Sequence, residues 1–270
     1  MAEADKLFAG NIPEFYDRFL VPLIFEPYAR DLSARVVANN PKRVLEVAAG
    51  TGVVTRSLAS RLPANAKLVV TDLNSPMIEH AKSRIGQDER IEWRTADAQN
   101  LPFENESFDA VACQFGAMFF PDKVRAFTEA RRVLAPNGRY YFSVWDKIAE
   151  NEFADVVTQA VGEMFPSDPP LFLARTPHGH YDVDALRAHL SLAGFSDVSV
   201  DAVDERSKAP SPREPAIAYV EGTPLRNEVE ARDASRLEEA TARAAEAIGK
   251  RFGAGPVDGR IRAYVITATR

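Results

Sequence analysis

The sequence predicts an α/β fold: a seven-stranded, mostly parallel sheet with an antiparallel edge hairpin, helices on both faces and a small helical cap. Three observations carry that expectation. Short β-branched runs alternate with amphipathic helical stretches through residue 145, the pattern of parallel strands joined by crossover helices. The first strong run, Val44–Val47, ends in a turn of small residues, Ala48-Ala-Gly-Thr-Gly52, and a helical pattern follows at once. The last two strand-like runs, 196–203 and 260–268, with helical stretches inserted between them, are consistent with an antiparallel hairpin at a sheet edge.

The elements follow in order. Asn11 and Pro13 start a short helix over 11–21 that puts Phe15, Phe19 and Leu20 on one face. A second helix runs from about Pro27 to Ala38, and Asn39-Asn40-Pro41 stops it. Strand 43–48 leads to helix 52–62, strand 67–71 to helix 76–85, and strand 91–95 to a turn at Leu101-Pro102-Phe103. Strand 107–113, helix 122–134 and strand 139–145 complete the regular alternation. Beyond it come helix 151–164, a Pro-rich stretch across 166–181, helix 183–193 capped by Asp182, and strand 196–203. A polar, Pro-rich segment over 206–216 precedes helices at 215–221 and 226–249, and strand 259–269 closes the chain.

The bulk properties exclude several functions. A chain of 270 residues with 46% hydrophobic content can bury a full core. A formal charge of −6 argues against a nucleic-acid surface, which neutralises phosphates with basic groups. The single cysteine, Cys113, forms no internal disulfide and fits a reducing, cytoplasmic setting. With Glu3 and Asp5 and no long apolar run, the N-terminus does not resemble a signal peptide, and no stretch is long and apolar enough for a membrane span. The four histidines, at 80, 178, 180 and 189, do not form a metal-ligand pattern, so no metal is expected. The oligomeric state is left open.

Candidate chemistry sits at the ends of successive strands. Glu46 is the one charge in its strand and must be paired or serve a ligand. The turn after it carries so little side chain that a ligand can lie against the backbone. Asp72 lies twenty residues past Gly52, the place of a carboxylate that accepts from ribose hydroxyls, and Asp97 ends the next strand. Parallel strands bring these ends to one rim. An adenosine-containing ligand follows. The position of a third glycine in a dinucleotide turn is Thr55, and an acid stands four residues before Gly50, both unhelpful beside a pyrophosphate. An NAD(P)-dependent oxidoreductase and a non-catalytic adenosine-cofactor-binding module remain the alternatives.

Five runs in order resemble one family. They are Leu45–Gly52 (Leu-Glu-Val-Ala-Ala-Gly-Thr-Gly), Val70–Met77 (Val-Thr-Asp-Leu-Asn-Ser-Pro-Met), Ala96–Phe103 (Ala-Asp-Ala-Gln-Asn-Leu-Pro-Phe), Ser107–Gln114 (Ser-Phe-Asp-Ala-Val-Ala-Cys-Gln) and Arg132–Gly138 (Arg-Val-Leu-Ala-Pro-Asn-Gly). Together they resemble the class I S-adenosylmethionine-dependent methyltransferases, in the ubiquinone/menaquinone-biosynthesis-like (methyltransferase type 11) branch. The resemblance covers roughly residues 40–146, and Phe15–Tyr28 more loosely. Two departures stand out: Ala48 replaces the family's usual first glycine, and Asn137 sits where a second glycine is common.

The resemblance implies a Rossmann-like core over 41–147 that binds S-adenosyl-L-methionine, an N-terminal helical lid over 1–40, and an acceptor-binding cap with the remaining strands over 148–270. It implies that Glu46 and the turn Ala48, Gly50, Thr51 and Gly52 hold the methionine end of the cofactor. Asp72 would bind the ribose, with Leu73 and Met77 lining ribose or adenine. Asp97 and Ala98 would meet the adenine amino edge, Gln114 and Phe115 would lie beside the cofactor, and Tyr16 would close over it. The expected reaction is in-line displacement of the methyl to a small-molecule acceptor, aromatic or quinone/phenol-like. Phe119, Trp145, Arg175 and Tyr181 are the candidate acceptor contacts, and His178 and His180 the candidate general bases near neutral pH.

Overall fold

The computed structural model describes residues 12–270, apart from the side chain of Pro13. Asn11, the expected helix cap, and the acidic N-terminal residues lie outside the described residues. Helix α1 (Ile12–Phe15) passes into a ten-residue π-helix, Tyr16–Phe25, with Pro22 inside it, and then into α2 (Glu26–Val37). The alternating part follows as β1 (Arg43–Glu46), α3 (Val53–Ala59), β2 (Lys67–Asp72), α4 (Ser75–Ile85), β3 (Ile91–Thr95), β4 (Phe108–Gln114), α5 (Lys123–Val133) and β5 (Leu134–Trp145). Then come α6 (Glu152–Glu163), α7 (Phe172–Arg175), α8 (Val183–Leu192), β6 (Asp197–Ala209), α9 (Arg213–Val220), α10 (Leu225–Asp233), α11 (Leu237–Phe252) and β7 (Val257–Thr269).

The seven strands lie in the order β3-β2-β1-β4-β5-β7-β6, mostly parallel with one antiparallel edge pair. The parallel half is in register from Arg43 opposite Lys67, Val44 opposite Ala110 and Leu68 opposite Ile91. Strand order reverses beside β1, so β1 and β4 flank the crevice where open parallel sheets bind ligands.

The chain forms two compact units. One comprises residues through Phe25, Trp145–His180 and Asp204–Arg262; the other comprises Glu26–Val144, Tyr181–Val203 and Ala263–Arg270. In the latter unit, called the sheet unit below, Leu32, Val36, Val44, Leu58, Leu68, Val70, Ala112 and Val265 form one buried cluster. The former, the helical unit, has its own core: Phe153, Val157, Leu225, Val229, Ala244 and Ile248 are fully or nearly fully buried. Gly259 on β7 seats the Phe153 ring there, since a Cβ at 259 would come within 2.9 Å of it.

Three expectations need correction. The strand expected over 196–203 runs on to Ala209, which takes the first residues of the presumed polar segment over 206–216. Its side chains alternate between exposed and partly buried, and its acids and bases lie on a sheet edge, where charge protects against further pairing. The long helix expected over 226–249 is two helices, because Asp233 folds back to accept hydrogen bonds from the Ser235 N–H and hydroxyl. The Pro-rich stretch contains the single turn α7. Among the described residues, no helix is long and apolar enough to cross a membrane.

Candidate functional site

The carboxyl ends of β1, β2, β3 and β4 build the candidate site within the sheet unit. β1 carries Glu46 to its last position and the chain then turns sharply: Ala48, Gly50 and Gly52 have φ of 55°, 58° and 82°. Alternating left-handed residues are what the small side chains of this turn permit. The turn is tied down by Val47 N–H to the Ala112 carbonyl (2.8 Å) and Ala49 N–H to the Thr71 carbonyl (3.0 Å). It is therefore fixed by the strands on both sides of β1.

Asp72 is also part of that turn. Its Oδ2 accepts from the Gly50 N–H at 2.8 Å, and its Oδ1 accepts from the Asn74 N–H at 2.8 Å. The carboxyl is buried, and burial raises its pKa while those backbone donors lower it. The expectation left the turn's N–H groups for the ligand; the structure assigns the Gly50 donor to Asp72. One acid thus sets the turn and, through Asn74, the start of the next helix.

Glu46 is 1% exposed. Its Oε2 accepts from the Thr55 hydroxyl at 2.7 Å. Burial pushes its pKa up to about 8, against the opposing effect of the Thr55 hydroxyl and N–H. Thr55 is the residue that occupies the place of a third glycine, and this bond is its function. The sequence signal was there, a hydroxyl in the first turn of the helix that follows the acid's strand.

The other sequence-predicted cofactor residues occupy the same unit. Leu73, next to Asp72, is 53% exposed, one of few large apolar side chains so open. Met77 is buried on α4. Asp97 is exposed and accepts from the Gln99 N–H at 2.9 Å, and Ala98 beside it is half-buried. Gln114 ends β4, and Phe115 follows with φ 52°, packed edge-on against Tyr28 at 5.3 Å. Phe119 is half-buried on the short turn after it.

The alanine in the usual glycine position has a structural counterpart. A Cβ at Gly116 would lie 2.5 Å from the Ala48 Cβ and 2.8 Å from Cys113 Sγ. The methyl that 48 gained fills the space that 116 leaves bare. Cys113 is buried, and burial pushes its thiol pKa up to about 12, so it is no nucleophile.

Other predicted residues lie in the helical unit. Tyr16 stacks on Phe25 at 5.0 Å, Phe25 meets Trp145 at 6.0 Å, and Trp145 meets His178 at 5.9 Å. The result is one row of four rings, with Phe25 a member that sequence reasoning missed. His178 is buried, and its Nδ1 lies 2.9 Å from the Asp146 carbonyl oxygen. A carbonyl only accepts, so Nδ1 carries the proton and Nε2 the lone pair. Burial lowers the imidazole pKa to about 4, although this bond raises it. Asn151, also unpredicted, holds the same carbonyl through Nδ2 (3.3 Å) and accepts from the Arg262 N–H (3.1 Å). Arg175 is ion-paired with Glu228 at 2.7 Å and so secures α7 to α10. His180 is half-buried; Tyr181, which belongs to the sheet unit, is 44% exposed.

The donor set suits a nucleoside whose far end is cationic. It offers a buried acid, a second acid one strand away, a left-handed turn, and the buried Thr51 hydroxyl, which has no hydrogen-bond partner. Among the described residues, no three acids, histidines or cysteines group as a metal site.

Comparison with known proteins agrees. The methyltransferase-domain family matches residues 44–138. The ubiquinone/menaquinone biosynthesis C-methyltransferase UbiE of Burkholderia vietnamiensis is 32% identical over 170 residues, 58% of this chain and 68% of that protein. The chain belongs to the class I S-adenosylmethionine-dependent methyltransferases. A demethylmenaquinone methyltransferase of Deinococcus radiodurans is 34% identical over 137 residues, 50% of this chain and 56% of that protein. The UbiE protein of Rickettsia felis is 28% identical over 70% of this chain and 84% of its own length.

Among solved structures, the [4+2]-cyclase SpnF superposes with a TM-score of 0.58 at 19% identity, covering 91% of this chain and 80% of that one. A phosphoethanolamine N-methyltransferase of Haemonchus contortus gives 0.54 at 16%, covering 98% and 61%. These two likenesses show the fold alone. The family membership removes the oxidoreductase alternative, and S-adenosylmethionine is the family's cofactor.

Proposed function

We propose that this chain transfers the methyl group of S-adenosylmethionine to a small planar acceptor, a hydroquinone or phenol, in a reducing, cytoplasmic setting. The observation that carries the acceptor class is the row Tyr16, Phe25, Trp145 and His178 in the helical unit. Flat rings stack on such a row, whereas a phosphorylated or strongly charged acceptor finds no cationic cluster in it. The names of the quinone-biosynthesis relatives point the same way.

The bound cofactor supplies a methyl already activated by its sulfonium charge. The chain's residues orient, exclude water and manage one proton. Glu46, Ala48, Gly50, Thr51 and Gly52 hold the amino-acid end, Asp72 the ribose, and Leu73, Met77, Asp97 and Ala98 the adenine side. Gln114 and Phe115 bound the crevice beside β4. His178, neutral near pH 7, accepts a hydrogen bond from the acceptor's hydroxyl through Nε2 and fixes its orientation. General-base work falls to His180.

The test is transfer of a labelled methyl to a panel of hydroquinones, catechols, phenols and aliphatic amines. Turnover confined to the planar hydroxylated members is the expected result. Turnover of amines alone overturns the acceptor class, and cofactor binding without turnover of any member returns the non-catalytic reading.

A further inference from the structure

Glu46 is a carboxyl group with almost no access to water and, among the described residues, no ion-pair partner. The groups that face it can be named from each element around it. Thr55 on α3 donates its hydroxyl to Oε2 at 2.7 Å. Arg56, the next residue, exerts a weak favourable charge effect and donates to the Thr51 carbonyl at 3.0 Å. Asp72 on β2 is a second acid, whose charge disfavours ionisation of Glu46. Cys113 on β4 is a buried thiol that stays protonated, and Tyr140 on β5 is a buried phenol held with it. The Thr71 hydroxyl is committed to the Glu46 main-chain carbonyl at 2.9 Å. One neutral hydroxyl, one N–H and the weak charge effect of Arg56 do not compensate for burying a carboxylate beside another acid.

We infer that Glu46 is protonated in the empty site and releases its proton to solvent when the ammonium of the cofactor's amino-acid end arrives. This rests on the cofactor assignment above and adds to it a selection rule. A ligand that brings a positive charge to the end of β1 converts Glu46 into its counter-ion; a ligand without that charge leaves the proton in place. The balance is simple: one O–H bond of the carboxyl breaks, the proton goes to buffer, and charge is conserved by the new ion pair. The same burial pushes the Glu46 pKa up to about 8, against the Thr55 hydroxyl and N–H.

The test is calorimetric titration of the whole chain in two buffers of different ionisation heat, across pH 6 to 9. The probes are S-adenosylhomocysteine, which carries the ammonium, and 5′-methylthioadenosine, which lacks the amino-acid end. For S-adenosylhomocysteine the expected release is close to one proton per site at pH 7 and about half at pH 8. Its affinity should rise nearly tenfold from pH 6 to 7 and level off above 8. 5′-Methylthioadenosine should bind with no proton release. Glu46→Gln, which mimics the protonated form, should fold, bind S-adenosylhomocysteine more weakly and release no proton.

Equal heats of S-adenosylhomocysteine binding in the two buffers overturn the inference while leaving the cofactor site intact. So does proton release that persists in Glu46→Gln, which assigns it to another group. Release with 5′-methylthioadenosine removes the ammonium as trigger. Failure of both ligands to bind overturns the cofactor assignment itself.

Discussion

The rim that carries Glu46, Asp72 and Asp97 and the ring row of the helical unit are built by opposite means. At the rim, position comes from the backbone: parallel strands in fixed register deliver one residue each, and left-handed turns clear the space. In the ring row, position comes from side chains on segments far apart in sequence, Tyr16 and Phe25 on a π-helix, Trp145 at the end of β5 and His178 after α7. The two regions also bury charge-capable groups of opposite kind. Glu46 is an acid kept from ionising, and His178 is a base kept from protonating. Both are left neutral near pH 7, which is what burial without a counter-ion demands.

That symmetry predicts opposite pH dependences, the largest effects expected. Between the ordinary value near 4.5 and its folded value of about 8, Glu46 holds more proton in the folded chain than in the unfolded one. Stability therefore falls as pH rises through that window. Between its folded value of about 4 and the ordinary 6.5, His178 binds more proton when unfolded. Its contribution rises with pH and is lost as pH falls from 6.5 to 4, by about 3 kcal/mol at the bottom. Urea midpoints from pH 4 to 9 for wild type, Glu46→Gln and His178→Gln separate the two. Each Gln variant should flatten its own limb of the curve only. A His178→Gln curve parallel to wild type below pH 6.5 breaks the comparison.

Next in size is Asp72→Ala. It removes the acceptor of the Gly50 and Asn74 N–H groups and, on the proposed cofactor assignment, the partner of the ribose hydroxyls. Hydrogen bonds to a charged group contribute about 1.5–3 kcal/mol each. S-Adenosylhomocysteine affinity, measured by calorimetry, should fall at least tenfold. The Tyr16–Phe25–Trp145 row should keep its near-ultraviolet dichroism, since the substitution acts through the strand-end turn. Loss of both signals would make the rim a mere support of the fold.

These contrasts explain what the sequence made legible. The ordered motifs at 45–52, 70–77, 96–103, 107–114 and 132–138 lie where strand ends and crossovers must lie, so spacing alone located Glu46, Asp72 and Asp97. Part of each motif is structural. Arg132 donates to the Leu101 and Phe103 carbonyls, and Asp109 accepts from the Lys42 and Arg43 N–H groups, so residues that mark the family also pin its loops. Phe25 and Asn151 were not legible. Their roles come from packing and from a bond across more than a hundred residues, and no local period records either. The extension of β6 was hidden for a similar reason: the charges that disqualified it as a buried strand suit a strand at an edge.

Gly116→Ala tests how closely the rim's backbone is fitted. The backbone at 116, φ −97° and ψ −34°, is open to any residue, so the effect is steric alone. The new methyl meets Ala48 Cβ and Cys113 Sγ at distances real Cβ atoms do not reach. Overpacking of that kind costs about 1–3 kcal/mol. Ala48→Gly should recover part of the loss in a double-mutant cycle of urea midpoints, leaving the clash with Cys113. Strict additivity would show that the two positions do not share one space.

The smallest effect belongs to the helical unit. Arg262 meets Asp204 through two parallel hydrogen bonds, 2.7 and 2.8 Å, a geometry that holds the Asp204 pKa below and the Arg262 pKa above their ordinary values. The Asp204 side chain is half exposed, and water and salt screen the pair. Asp204→Asn should therefore cost under about 1 kcal/mol in urea denaturation, and less again in 0.5 M salt. A larger, salt-insensitive loss would mean that this edge of the helical unit is fixed by charge, as the rim is by backbone. The expected small loss leaves its order to the apolar packing of Phe153, Ala244 and Ile248.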